Sequence, residues 1–227
     1  MASLALRQNI IEIIELNSRG QRFVPLISLS KLLPCDEISR ILRDLDIVPF
    51  YRLEEHSHII KTHYLKVFSI LCLVGGMECL HTSFIQRNID DSKLPLSTQD
   101  IVKLPPEIQK GFSLEQHIFL CPNLRKGLIY QIFDDWTVLP FTEENTLKGG
   151  HGAYGTVCKV KIHKDYQKLH VPQLSGTGMV AVSVATHSRT YDVYTNTGRN
   201  LISLERKSRR TGMKHRHSNQ KDKPLKS

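Results

Sequence analysis

Between Lys148 and Cys158 the chain reads Gly149-Gly150-His151-Gly152-Ala153-Tyr154-Gly155-Thr156-Val157. No other stretch limits the fold as strongly. Glycine reaches φ angles that a Cβ forbids, and it lets backbone N–H groups close on an anion such as a phosphate. The spacing G-x-G-x-x-G-x-V excludes a helix interior and predicts a loop between two strands. A plain hairpin turn would need one or two of these glycines; the full spacing with Thr156-Val157 asks for more.

The flanks agree. Residues 146–149 are expected to form a first strand, residues 150–154 the loop tip and residues 155–163 a second strand. In the second strand Val157, Lys159 and Lys161 alternate with Cys158, Val160 and Ile162. The apolar run Met179-Val180-Ala181-Val182-Ser183-Val184-Ala185 predicts a third strand inside a sheet.

The first 90 residues carry helical periodicity instead. Leu6, Ile10, Ile13 and Ile14 predict a helix over residues 3–18, stopped by Gly20. Residues 26–33 read as a second helix. Ile38, Ile41, Leu42 and Leu45 define a third, with Asp36 as a plausible N-cap. The longest is expected over residues 57–74, ended by Gly75-Gly76, and a short one follows over residues 78–87. These stripes can bury one another as a small all-α bundle. Pro95, Pro105 and Pro106 mark a linker with little regular structure, and residues 113–119 are expected to form a short helix. Residues 128–133 read as a strand from their β-branched and aromatic content.

Composition narrows the function. Five cysteines without a C-x-x-C pair argue against a disulfide framework or a structural zinc site, and Cys72 and Cys79 read as buried thiols. His56, His58 and His63 do not match a zinc spacing. No secretory signal is expected, and the apolar run over residues 67–74 is too short to span a bilayer. The expectation is an intracellular, cytoplasmic or nuclear protein with no membrane partner. Residues 205–227 hold nine Lys/Arg against Glu205 and Asp222, so that segment carries +7 of the net +9. It is expected to be a disordered basic tail. Residues 206–210 could act as a nuclear localisation signal. No aromatic residue follows Tyr194, which argues against base stacking and against nucleic acid as a partner.

Residues 136–163 closely resemble the start of the kinase domain in a group of protein kinase-like proteins from filamentous fungi. The resemblance rests on Leu139-Pro140-Phe141, on the glycine stretch 149–157, and on Lys159-Val160-Lys161-Ile162-His163. The segments Lys66-Val67-Phe68-Ser69-Ile70-Leu71 and Gln116-His117-Ile118-Phe119-Leu120-Cys121-Pro122 look like the helical leader such proteins carry. The resemblance implies a Ser/Thr protein kinase-like chain that holds ATP under residues 149–157, with magnesium as the nucleotide's companion. In kinases the third strand ends in V-A-[IV]-K, and the lysine holds the α- and β-phosphates. Here it reads Val180-Ala181-Val182-Ser183, and no H-R-D, D-F-G or A-P-E segment is present. The resemblance therefore implies a kinase family without a working kinase, and no catalytic residue or metal ligand is assigned.

The fold class expected is α+β. It comprises an α-helical leader (1–90), a linker with a short helix and strand (91–135), a partial antiparallel small-lobe fragment (136–185) and the basic tail (186–227). Two explanations for residues 164–227 stay open, a truncated or misread product and a genuine short pseudokinase, and the first is favoured. Two functions also stay open. One is an incomplete, inactive kinase-like ATP-binding chain. The other is a non-catalytic interaction protein whose helical leader binds a protein partner.

Overall fold

The computed structural model describes residues 2–47, 49–125, 136–152, 155–168, 179–185, 190–194 and 201–202. The expected strand over residues 128–133 lies outside them.

The helical region is built around one apolar helix. Helix α1 (Ala2–Glu12) leads into a two-stranded hairpin, β1 (Glu15–Leu16) with β2 (Arg22–Phe23). Then come α2 (Leu26–Leu32), α3 (Cys35–Asp44), α4 (Leu53–His63) and α5 (Leu65–Val74). Residues 67–73 of α5 are all buried, and α1, α4 and α7 (Pro106–Glu115) pack around it. Two observations explain how α7 comes so close. A Cβ on Gly76 would sit 2.6 Å from Ile108 Cγ2, and one on Gly111 would sit 2.9 Å from Val74 Cγ1. Gly75 ends α5 at φ +76°, a conformation open to glycine without cost, and the Gly76 N–H closes on Leu71 O.

Four expectations change here. The helix over residues 3–18 stops at Glu12, because the Asn17 side chain accepts from the N–H groups of Arg19 and Gln21 and closes the β1–β2 hairpin. α3 begins two residues earlier than an Asp36 cap would place it, and follows Pro34. The single helix over residues 57–74 is two helices that part at Tyr64. Asp91, remote in sequence, accepts from the N–H groups of Lys66 and Val67, which a continuous helix would have donated one turn back. Residues 80–85 form a π-helical turn where an ordinary short helix was expected.

The stretch expected to be a linker is largely helical. A 3₁₀ turn at Asp91–Lys93, α6 (Thr98–Ile101), α7 and a 3₁₀ turn at Gln116–Phe119 follow one another. Pro106 occupies the first turn of α7, where its missing N–H costs nothing. Leu96, Ile101, Leu104, Ile108, Phe112 and Phe119 then join the central core. Gln116 holds the loop by accepting from Leu96 N and donating to Leu96 O.

Beyond the helices, β3 (Leu124–Arg125) pairs in parallel with β6 (Gln167–Lys168). A five-stranded antiparallel sheet runs in the order β4-β5-β7-β8-β9. Its strands are β4 (Phe141–Gly152), β5 (Gly155–Ile162), β7 (Met179–Ala185), β8 (Thr190–Tyr194) and β9 (Leu201–Ile202). The class is mixed helix and antiparallel sheet, mostly helical. The sheet carries two more strands than the three expected, and β8 and β9 fall in the stretch read as tail. The rest of that stretch lies outside the described residues.

The β1–β2 hairpin joins the two regions. Ser18 N donates to Phe141 O at 2.6 Å, and Asn17 Nδ2 donates to Leu139 O at 3.0 Å. Arg19 grips Glu144 with two nitrogens, at 2.9 and 2.7 Å. Tyr166, fully buried, donates its hydroxyl to Val24 O, and its ring meets that of Phe23 edge-on.

Candidate functional site

The glycine stretch closes the long hairpin of β4 and β5. Gly152 pairs with Gly155 and His151 with Thr156, so the tip is narrower than the five residues expected. Ala153 and Tyr154 lie between them, outside the described residues. The next pair down is Thr146 with Cys158. Residues 147–150 therefore stand opposite Val157 alone, a wide bulge in which Gly149 and Gly150 sit. A bulge of this kind leaves several backbone groups without a ladder partner and bends the strand. β4 is also an edge strand, so one row of its amides faces away from the sheet.

The base of the hairpin is ordinary packed protein. Phe141, Val160 and Ile162 are buried, and Lys161 is exposed and paired with Glu143 at 2.8 Å. That is the alternation the sequence predicts. Across the sheet, Ser183 on β7 is the partner of Val157, and Asp192 on β8 is the partner of Ser183. Val157, Ser183 and Asp192 thus share one row.

Other candidates resolve into structure. His56 is buried with Nδ1 3.0 Å from Arg52 O, His58 is exposed, and no group of three potential metal ligands forms among the described residues. Cys72 and Cys79 are buried and outside any disulfide. Cys121 is buried beside Tyr166; burial pushes its thiol up to about 12 and raises the Tyr166 hydroxyl as well. Neither group is available as a nucleophile at neutral pH. Among the described residues no helix is long and apolar enough to cross a membrane.

Two features were missed in the sequence. Lys61, on α4, donates to Ser30 O, Ser30 Oγ and, at 2.8 Å, to Leu33 O, satisfying the carbonyls at the end of α2. Burial lowers its pKa. A cleft of about 940 Å³ opens between α3 and α4, with Phe50 and Tyr51 at its edge. The adjacent aromatics after Pro49 were the available signal for that cleft; nothing local marks Lys61 as a cap.

Comparison with family profiles, curated proteins and solved structures finds no match for this chain.

Proposed function

We propose that this chain is a protein kinase-like protein of the Ser/Thr type that contacts ATP through residues 149–157 and does not transfer its phosphoryl group. One observation carries the reading: a glycine-bulged hairpin at the edge of an antiparallel sheet whose next strand is β7. Strand, glycine loop, strand and third antiparallel strand is the order that the resemblance implies for the start of a kinase small lobe. Ser183 in place of lysine, Asp192 beside it and the lack of H-R-D and D-F-G segments argue against transfer. Magnesium would enter only with the nucleotide. Cys35, Cys72, Cys79 and Cys121 stand outside any disulfide, which suits a reducing, intracellular compartment.

Thermal unfolding with and without millimolar Mg-ATP tests the proposal. Saturation at one hundred times Kd stabilises by about 2.7 kcal/mol. The shift is expected to vanish in Gly152→Asp, which adds a side chain and a negative charge at the tip. No shift in the unaltered protein at millimolar ATP overturns the nucleotide reading, and measurable label transfer from ATP to a protein substrate overturns the inactive one.

The second reading, a non-catalytic interaction protein working through its helices, is favoured by Phe50 and Tyr51, exposed at 76% and 81% beside a cleft.

A further inference from the structure

The cleft between α3 and α4 is unlike the rest of the helical surface. Its rim holds two adjacent, largely exposed aromatic residues, Phe50 and Tyr51, and the Arg52 guanidinium lies 6.0 Å from the centre of the Tyr51 ring. Its lining holds Asp36, Glu54 and Glu55, all exposed, and none of the three has an ion-pair partner among the described residues. The single Lys or Arg in the lining is Arg43, whose guanidinium already lies over the Phe50 ring, 5.5 Å from its centre. Asp36 stands in the first turn of α3, and Glu54 and Glu55 in the first turn of α4. Carboxylates there complement the helix amides, which accounts for their tolerance so near one another. It does not account for the exposed rings.

Exposed carboxylates beside exposed aromatic rings suit a segment rich in Lys and Arg. Carboxylates pair with the cations, and the ring faces not met by Arg43 and Arg52 each add a cation–π contact of about 0.5–1 kcal/mol at an exposed site. The chain contains one such segment. Residues 205–227 carry nine Lys/Arg against two acidic residues and begin three positions after Ile202, the end of β9. Extended, 25 residues reach roughly 80 Å. A globule of 227 residues has a radius of gyration of about 17 Å, so every face of the protein lies within that reach. We infer that the α3–α4 cleft is the docking site of this chain's own basic segment, residues 205–227. The inference stands apart from the nucleotide reading and involves none of the glycine stretch.

A zero-length carbodiimide cross-linker applied to the full-length protein tests it, with the links read by peptide mass spectrometry. Links are expected from Asp36, Glu54 and Glu55 to Lys207, Lys214 or Lys221, on monomeric protein. Their yield should fall about threefold in the Phe50→Ser/Tyr51→Ser double variant, which leaves every carboxylate in place. The fall should be similar in about 0.5 M salt. The circular dichroism spectrum and thermal midpoint of the double variant without nucleotide are the control for folding, since both aromatics are exposed. Three results overturn the inference: links spread evenly over Glu78 and the other exposed carboxylates; a yield indifferent to the double variant; or links that join two copies in a mixture of isotope-labelled and unlabelled protein.

Discussion

The helical region and the long hairpin use backbone satisfaction in opposite ways. Around α5, three breaks in the regular backbone ladder meet a side-chain partner: Asp91 for the amides of Lys66 and Val67, Lys61 for the carbonyls of α2, and Gln116 for the loop at Leu96. Large side chains then fill the interior, among them Phe68, Phe84 and Phe112, all fully buried. The rings of Phe84 and Phe112 stack at 5.2 Å. The tip of the β4–β5 hairpin does the reverse. Glycines contribute no packing, and the bulge opposite Val157 releases backbone groups instead of pairing them. A region that spends its side chains on stability leaves little backbone to offer a ligand. One built on glycine keeps backbone available and depends on its neighbours for stability. Here the neighbours are Phe141, Val160 and Ile162 at the hairpin base, and the β1–β2 turn that grips it.

This contrast can be broken at three places. The largest effect is expected from Phe68→Ala at the centre of α5, which should cost about 3–5 kcal/mol in denaturant unfolding. If the two regions are coupled through the hairpin, the sheet should lose its order in the same transition. A smaller loss, about 2–3 kcal/mol, is expected from Asn17→Ala. The residue is 6% exposed, and the change leaves the turn amides of Arg19 and Gln21 without their acceptor, while Leu139 O keeps only the Phe141 N–H. Amide exchange should then rise at residues 139–144 while α5 keeps its protection. Equal loss in both would show one cooperative unit and abolish the distinction drawn above.

The smallest effect tests the Asp91 cap. Burial holds this carboxyl above the ordinary carboxylate range, although two backbone amides and Lys66 pull the other way. A raised folded pKa means that folding retains a proton. The contribution to stability is therefore fully present below the unfolded value near 3.9 and is lost as pH rises through the folded value. In Asp91→Asn that slope should disappear from the pH profile of stability, with about 1 kcal/mol of change at pH 7. Asp91→Ala, which removes the acceptor outright, should cost about 1–2 kcal/mol at the same pH. A profile in Asp91→Asn that keeps the original slope would mean another group titrates there.

Much of this arrangement was legible in the chain. The stripe of Ile38, Ile41 and Leu42 marks α3, Gly75-Gly76 marks the end of α5, and the alternation of Lys161 against Val160 and Ile162 marks β5. The errors share one cause. Prolines 95, 105 and 106 look like a linker because proline disfavours helix interiors, yet Pro106 stands at a helix start, where that objection lapses. Tyr166 sits in a polar connection, and only its hydroxyl bond to Val24 and its ring contact with Phe23 reveal it as core. For the candidate site, the glycine spacing is visible in sequence, and the serine in place of lysine is visible too. Asp192 in the same row is not, because strand pairing across a connection of unspecified length fixes it.

The sequence by itself determined what depends on neighbours within about a turn or two. Those features are the apolar faces of the helices, the glycine hairpin with its strands, and the concentration of cationic charge after Leu204. Tertiary structure decided the rest, because each remaining feature joins groups far apart in the chain. Asp91 divides what periodicity reads as one helix, and Asn17 and Arg19 bind a leader to a hairpin more than a hundred residues away. Only the fold sets three carboxylates and two aromatic rings around one cleft. A hydrogen bond or ion pair needs partners a few ångströms apart in space, and local pattern carries no record of which distant residue will arrive there.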